Sequence, residues 1–145
     1  MSLDGDYDPD NIFAKIVRGD MPSAKVFEDH DTLAIMDVFP QGRGHTLVIH
    51  KRAHARNLLD VEPDALQAVI LTTQRIARAQ RAAFKPDGIY VAQFNGAASG
   101  QTIFHLHFHI IPRWEGVPLG RHAGGGMADP AELAKLAEFI AAEIS

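Results

Sequence analysis

Three histidines, His105, His107 and His109, alternate with apolar residues in the stretch TIFHLHFHIIP. Ile103, Phe104, Leu106, Phe108, Ile110 and Ile111 are the residue types that favour a strand. Successive side chains on a strand point to opposite faces, so the three imidazoles share one side, with neighbours roughly 6.5 to 7 Å apart. Phe104, Leu106, Phe108 and Ile110 then form a core face. Exposed strand positions more usually carry Lys, Thr or Glu, so three histidines in register are poorly explained as surface residues.

Two chemistries suit such a row. Alternating histidines can direct two imidazoles at one zinc ion, with His45 as a third ligand. Against this, ligating histidines usually lean on a carboxylate or carbonyl, and no acid lies within the strand. The other chemistry is nucleophilic attack at phosphorus. An imidazole with a pKa near 6.5 is largely neutral at physiological pH and can attack, while a protonated neighbour serves as acid. The preceding loop, NGAASGQT, supplies Gly96 and Gly100 for close backbone approach and Asn95, Gln101 and Thr102 as donors. Backbone N–H concavities of this kind bind anions.

The elements that must hold these residues are legible along the chain. NIFAKIVRGD reads as a short helix capped by Asn11 and stopped by Gly19. AKVFEDHDTLAIMDVFP reads as two strands around a polar turn at 28 to 31, and a Gly-rich turn leads into a strand over 46 to 49. Residues 63 to 84 carry the clearest helical stripe, ended by KPDG. IYVAQFN is the next strand, followed by a tight loop and the histidine strand. A Gly-rich connector, GRHAGGG, leads to a last helix with Asp129 as cap and Pro130 in its first turn. The pattern predicts an α+β domain: an antiparallel sheet of about five strands with helices packed to one side, one long central helix and an extra C-terminal helix.

At 145 residues and 46% hydrophobic, the chain suits a single domain over 1–145. Residues 1–10 read as a flexible leader, 11–114 as the core, and 115–145 as connector and final helix. A formal charge of −4 and the lack of any basic run argue against a nucleic acid polymer as partner. With no cysteine there is neither a disulfide nor a thiolate zinc site. The acidic, polar start carries no secretory pattern, and no apolar stretch approaches the ~20 residues of a membrane span. No membrane association is expected, and the expected location is cytoplasmic.

HLHFHII resembles the His-φ-His-φ-His-φ-φ signature (φ apolar) of the histidine triad superfamily of nucleotide hydrolases and transferases. Asp37, the GH pair at 44 and 45 and the GQT at 100 to 102 strengthen the resemblance, which spans residues 11 to 114. It implies the HIT-like fold and a metal-independent, cofactor-free hydrolase. His107 resembles the nucleophile that attacks the α-phosphorus to form a nucleotidyl-histidine intermediate, and His109 the residue that assists the leaving group. His105 and His45 resemble the supporting pair. Asn95, Gly100, Gln101 and Thr102 match phosphate-side positions, together with His107 and His109. Asp37 matches the residue facing the ribose hydroxyls, and Ile12, Phe13, Ile16, Met21, Ile35 and Val38 fall where the family lines its base pocket.

The resemblance is to the Hint-like bacterial branch, whose members cleave purine nucleoside 5′-phosphoramidates and related mixed anhydrides to release the nucleoside monophosphate. GQT followed by IPR is equally at home in the Fhit-like branch, which cleaves dinucleoside polyphosphates. A third reading is a nucleotide-binding interaction module with weak catalysis. The resemblance further implies an AMP-like ligand and a homodimer, with the edge of IYVAQFN pairing across a two-fold axis. Residues 114 to 145 lack the Trp-Pro-Pro-Gly tail of eukaryotic Hint proteins, which bears on substrate preference and intersubunit contacts. His50, where many relatives carry proline, reads as a strand-end surface residue, and His54 likewise.

Overall fold

The computed structural model describes residues 2–120 and 126–145. A short helix α1 (Ile12–Arg18) precedes strands β1 (Lys25–Glu28), β2 (Thr32–Met36) and β3 (Thr46–His50). The long helix α2 (Pro63–Phe84), strand β4 (Gly88–Ala92), strand β5 (His107–Arg113) and helix α3 (Pro130–Ala141) follow. All pairings are antiparallel, in the order β1-β2-β3-β5-β4. The helix punctuation follows local chemistry. Asn11 accepts from the Ala14 amide, Gly19 adopts the left-handed conformation after α1, and Asp129 accepts from the Ala131 amide at the start of α3. Of the Gly-rich connector, residues 121–125 lie outside the described residues.

Every residue of β2 and β3 is buried, because both faces of the sheet are covered there. On one face Ala34, Met36, Val48, Leu106, Phe108 and Ile110 pack with Val69 and Ile76 of α2 and Leu136 and Ile140 of α3. The opposite face is covered by α1, with Phe13 set among Leu33, Ile35, Leu47 and Ile49. The expectation of helices on one side holds for α2 and α3, while α1 takes the other face. In register, Leu47 stands opposite His109 and Ile49 opposite His107, so the triad lies on the face that α1 covers. The sheet thus divides its labour: one side is core, the other is core at one end and imidazoles at the other.

Two features fix the start of β3. Gly44 has φ +86°, and a Cβ there would lie 2.8 Å from the Phe84 ring, so only glycine fits. Gln80 of α2, fully buried, donates to the carbonyls of Gly44 and Ile110. That one side chain ties the long helix to both strands that carry the histidines.

Candidate active site

The histidine strand is shorter than its pattern suggests. β5 begins at His107, and its ladder with β3 ends at the Ile49–His107 pair. Only His107 and His109 are strand residues, while His105 lies in the connection before it. All three are buried, with 2%, 8% and 4% exposure for His105, His107 and His109, which removes the surface reading. Phe13 of α1 packs edge-on against both His105 and His107, at centroid distances of 5.9 and 4.8 Å. Phe94 lies 5.2 Å from His109.

Carbonyl oxygens only accept hydrogen bonds, and this assigns the ring protons. His107 Nδ1 lies 2.7 Å from the His105 carbonyl, so Nδ1 carries the proton and Nε2 the lone pair. His105 Nε2 lies 3.1 Å from the His50 carbonyl, so Nε2 is the donor, and Nδ1 accepts from the Tyr7 hydroxyl at 2.8 Å. Burial holds His105 down at a pKa of about 4, an effect the His50 carbonyl only partly offsets. It is a neutral imidazole at physiological pH. At the other end, the Gln41 amide donates to His45 Nδ1, which leaves the proton on His45 Nε2. That proton lies between His109 Nδ1 at 3.0 Å and Asp37 Oδ2 at 3.4 Å. With His109 Nδ1 as acceptor, its Nε2 is the donor.

Several expected site residues are already engaged within the protein. Asp37, 4% exposed, is turned toward His45, and its Oδ1 accepts from the Phe39 amide. This arrangement sets its carboxylate beside the imidazoles. The amide of Gln101, expected on the phosphate side, donates to the carbonyls of Arg56 and Ile103, and its oxygen accepts from Gly96. It braces the loop, because a buried amide satisfies its donors on nearby backbone. Asn95 uses its oxygen to accept from the Leu58 amide and Gln93, which leaves its NH2 group as the donor suited to phosphate. Gly100, φ +111°, and Thr102 are exposed at the loop. Of the base-pocket set, Phe13 and Ile35 are core and Ile16 packs against it, whereas Ile12, Met21 and Val38 keep 37%, 39% and 38% of their area exposed. Those three keep the most apolar surface of the set exposed.

His50 is not a surface residue. It is 6% exposed, and its Nδ1 accepts from the Arg52 and Ala53 amides, capping the turn after β3. His54 is exposed and stacks on Tyr7, with centroids 4.7 Å apart and planes 3° apart. The leader, expected to be flexible, is anchored. Arg56 donates to the carbonyls of Ser2 and Asp6, Asn57 to that of Leu3, and the Ala97 amide to Ser2 Oγ. Tyr7, Gln41 and Arg56 were missed in the sequence because their contacts cross 40 or more residues or use backbone atoms.

This arrangement, a buried row of imidazoles on an open five-stranded antiparallel sheet, is matched by known proteins. Residues 18–116 match the HIT domain family. A Hit-like protein of Bartonella henselae is 49% identical, with a TM-score of 0.88 over 95% of this chain and 99% of its own. A zinc-bound histidine triad family protein of Mycobacterium smegmatis is 36% identical, with a TM-score of 0.80 over 92% of each chain. The adenylylsulfatase HINT3 of Arabidopsis thaliana is 38% identical over 120 residues, 79% of this chain and 60% of its own length. The chain belongs to the HIT domain family. Among the described residues, no helix is long and apolar enough to cross a membrane.

Asp37, His45 and His109 each offer a ligand atom within 4.8 Å of the others. As arranged, they do not fit a metal. A ligating histidine donates from its second nitrogen, whereas His45 Nδ1 accepts from the Gln41 amide. Coordination through Nε2 would demand an imidazolate or the loss of that bond.

Proposed function

We propose that the protein is a metal-independent nucleotidyl hydrolase acting at the α-phosphorus of purine nucleoside 5′-phosphoramidates. His107 Nε2 attacks phosphorus, the P–N bond breaks, and His109, entering this step as the imidazolium with Asp37 as counter-charge, passes its Nε2 proton to the departing amine and is left neutral. Water then attacks the nucleotidyl-histidine, His109 takes its proton, and nucleoside monophosphate and free His107 are released. The bond from His107 Nδ1 to the His105 carbonyl, 2.7 Å, carries this reading. It directs the lone pair to Nε2 and stabilises the positive ring that forms once Nε2 bears phosphorus. The Asn95 NH2 group and the exposed Thr102 are the donors for phosphoryl oxygens, while Gly100, whose N–H goes to the Ala97 carbonyl, shapes the turn beside them. Ile12, Met21 and Val38 offer apolar surface to the base.

Intact-protein mass spectrometry after rapid mixing with an adenosine phosphoramidate tests this. The wild type gains a transient adduct of one nucleotidyl mass, and His107→Asn gains none and loses turnover by at least about a thousandfold. A well-folded His107→Asn that turns over at the wild-type rate sinks the covalent mechanism. A second substrate, adenylylsulfate, is favoured by the similarity to HINT3, and its turnover relative to the phosphoramidate ranks the two. We further propose a homodimer. Tyr90 and Val91 on the edge strand β4 and Ile70 and Leu71 on α2 leave 42%, 44%, 43% and 63% of their area exposed, an apolar surface suited to a second copy. A monomeric mass in solution at micromolar concentration would contradict it.

A further inference from the structure

The leader and the first histidine meet in a contact that the catalytic reading does not use. His105 lies outside the β5 ladder, and the peptide that carries its carbonyl is held instead by the Leu106 amide on the Ala55 carbonyl. Its ring is held at both nitrogens, by Tyr7 and by the His50 carbonyl. Its carbonyl is the acceptor that selects the tautomer of His107. Tyr7 is itself held, flat against His54 and at the end of a strap fastened by Arg56 and Asn57. Burial raises its pKa, so the phenol keeps the proton it donates.

We propose that Tyr7 is a positioning residue for the triad: its hydroxyl fixes the tautomer and orientation of the His105 ring beside His107. A neutral imidazole that loses the donor at Nδ1 can move its proton from Nε2 to Nδ1, which gives up the bond to the His50 carbonyl and lets the ring shift against Phe13. The inference rests on His107 as nucleophile, but its structural half does not.

Tyr7→Phe keeps the ring and its stacking while removing the hydroxyl. It is expected to lower kcat roughly 3- to 10-fold, the value of one buried hydrogen bond, with KM within about twofold. Imidazole ¹⁵N chemical shifts provide a readout independent of substrate. The His105 Nδ1 resonance loses the shift of a hydrogen-bonded acceptor, and His105 gains signal from the Nδ1-protonated tautomer. His54→Ala, which removes the stack and keeps the hydroxyl, is expected to stay within about twofold of wild type in kcat. Unchanged kcat and unchanged ¹⁵N shifts in a folded Tyr7→Phe would overturn the proposal. So would a loss in His54→Ala equal to that in Tyr7→Phe, since the stack would then be the cause. If the wild type turns over no substrate, the nucleotidyl reading fails, and the ¹⁵N shifts alone still decide whether Tyr7 sets the tautomers.

Discussion

His105 and His109 stand at the two ends of the triad, equally buried and differently surrounded. His105 sits against Phe13 and Tyr7, bonded to a hydroxyl and a carbonyl, and among the described residues no carboxylate pairs with it. Desolvation therefore decides its state, and it is neutral. His109 lies 3.0 Å from His45, which in turn lies 3.4 Å from the Asp37 carboxylate. A carboxylate thus stands behind two hydrogen-bonded imidazoles at this end, which is the arrangement the proposed acid role of His109 draws on. Under that proposal His107, between them, takes orientation from the first and proton transfer from the second. Identical side chains on one face are thus given different chemistry by what stands behind them.

The largest test of this contrast is His109→Ala. Turnover of a phosphoramidate with a basic amine leaving group is expected to fall about 10²- to 10⁴-fold, the usual worth of a positioned acid. A substrate whose leaving group needs no proton should lose far less, and equal losses for both would remove the acid role.

The neutral end is tested by stability against pH. Burial holds the His105 pKa at about 4 in the fold, below the ordinary imidazole value of 6.5. The unfolded chain therefore binds the proton first as pH falls. Stability is complete above pH 6.5 and declines toward pH 4, by about 3 kcal/mol for this group. His50, also lowered by burial, acts in the same sense. Glu28, drawn down to about 2 by Lys25 and Lys51, loses its contribution only below its ordinary pKa near 4.5. Urea unfolding at pH 7 and pH 4.5 should show the loss, and His105→Gln should flatten it. A pH-independent wild-type midpoint across that window would mean that His105 is not held neutral.

The smallest effect expected is that of Asp37→Asn, which keeps the shape and removes the charge. Turnover should fall on the order of tenfold, the scale of one nearby opposite charge, and the melting profile assigned to His105 should be unmoved. A ribose role for Asp37 would instead raise KM with kcat preserved, so the split between the two parameters separates the readings.

Much of the fold was legible because its signals are local. The stripe over Pro63–Phe84, the Asn11 and Asp129 caps and the turn between β1 and β2 each rest on residues a few positions apart. The shared face of His107 and His109 was readable from the period of a strand, and so was the core role of Leu106, Phe108 and Ile110. The extent of β5 was not readable, because a strand ends where its pairing does, and Ile49 is the last β3 residue that pairs with β5. The backbone partners of His50 and Gln101 were not readable for a related reason. Polar types suggest surface or ligand contact until the backbone atoms that satisfy them are in view.

Residue order thus specified which imidazoles exist, how they alternate and which neighbours form the core, since periodicity and capping act over a few residues. Only the tertiary structure decided their protons. That decision lies with the His105 and His50 carbonyls, the Gln41 amide, the Tyr7 hydroxyl and the buried Asp37. Several of these are distant in the chain, and most are backbone groups whose direction no side-chain pattern encodes. A ring nitrogen's role follows from the atom it faces, and that atom is chosen by the fold.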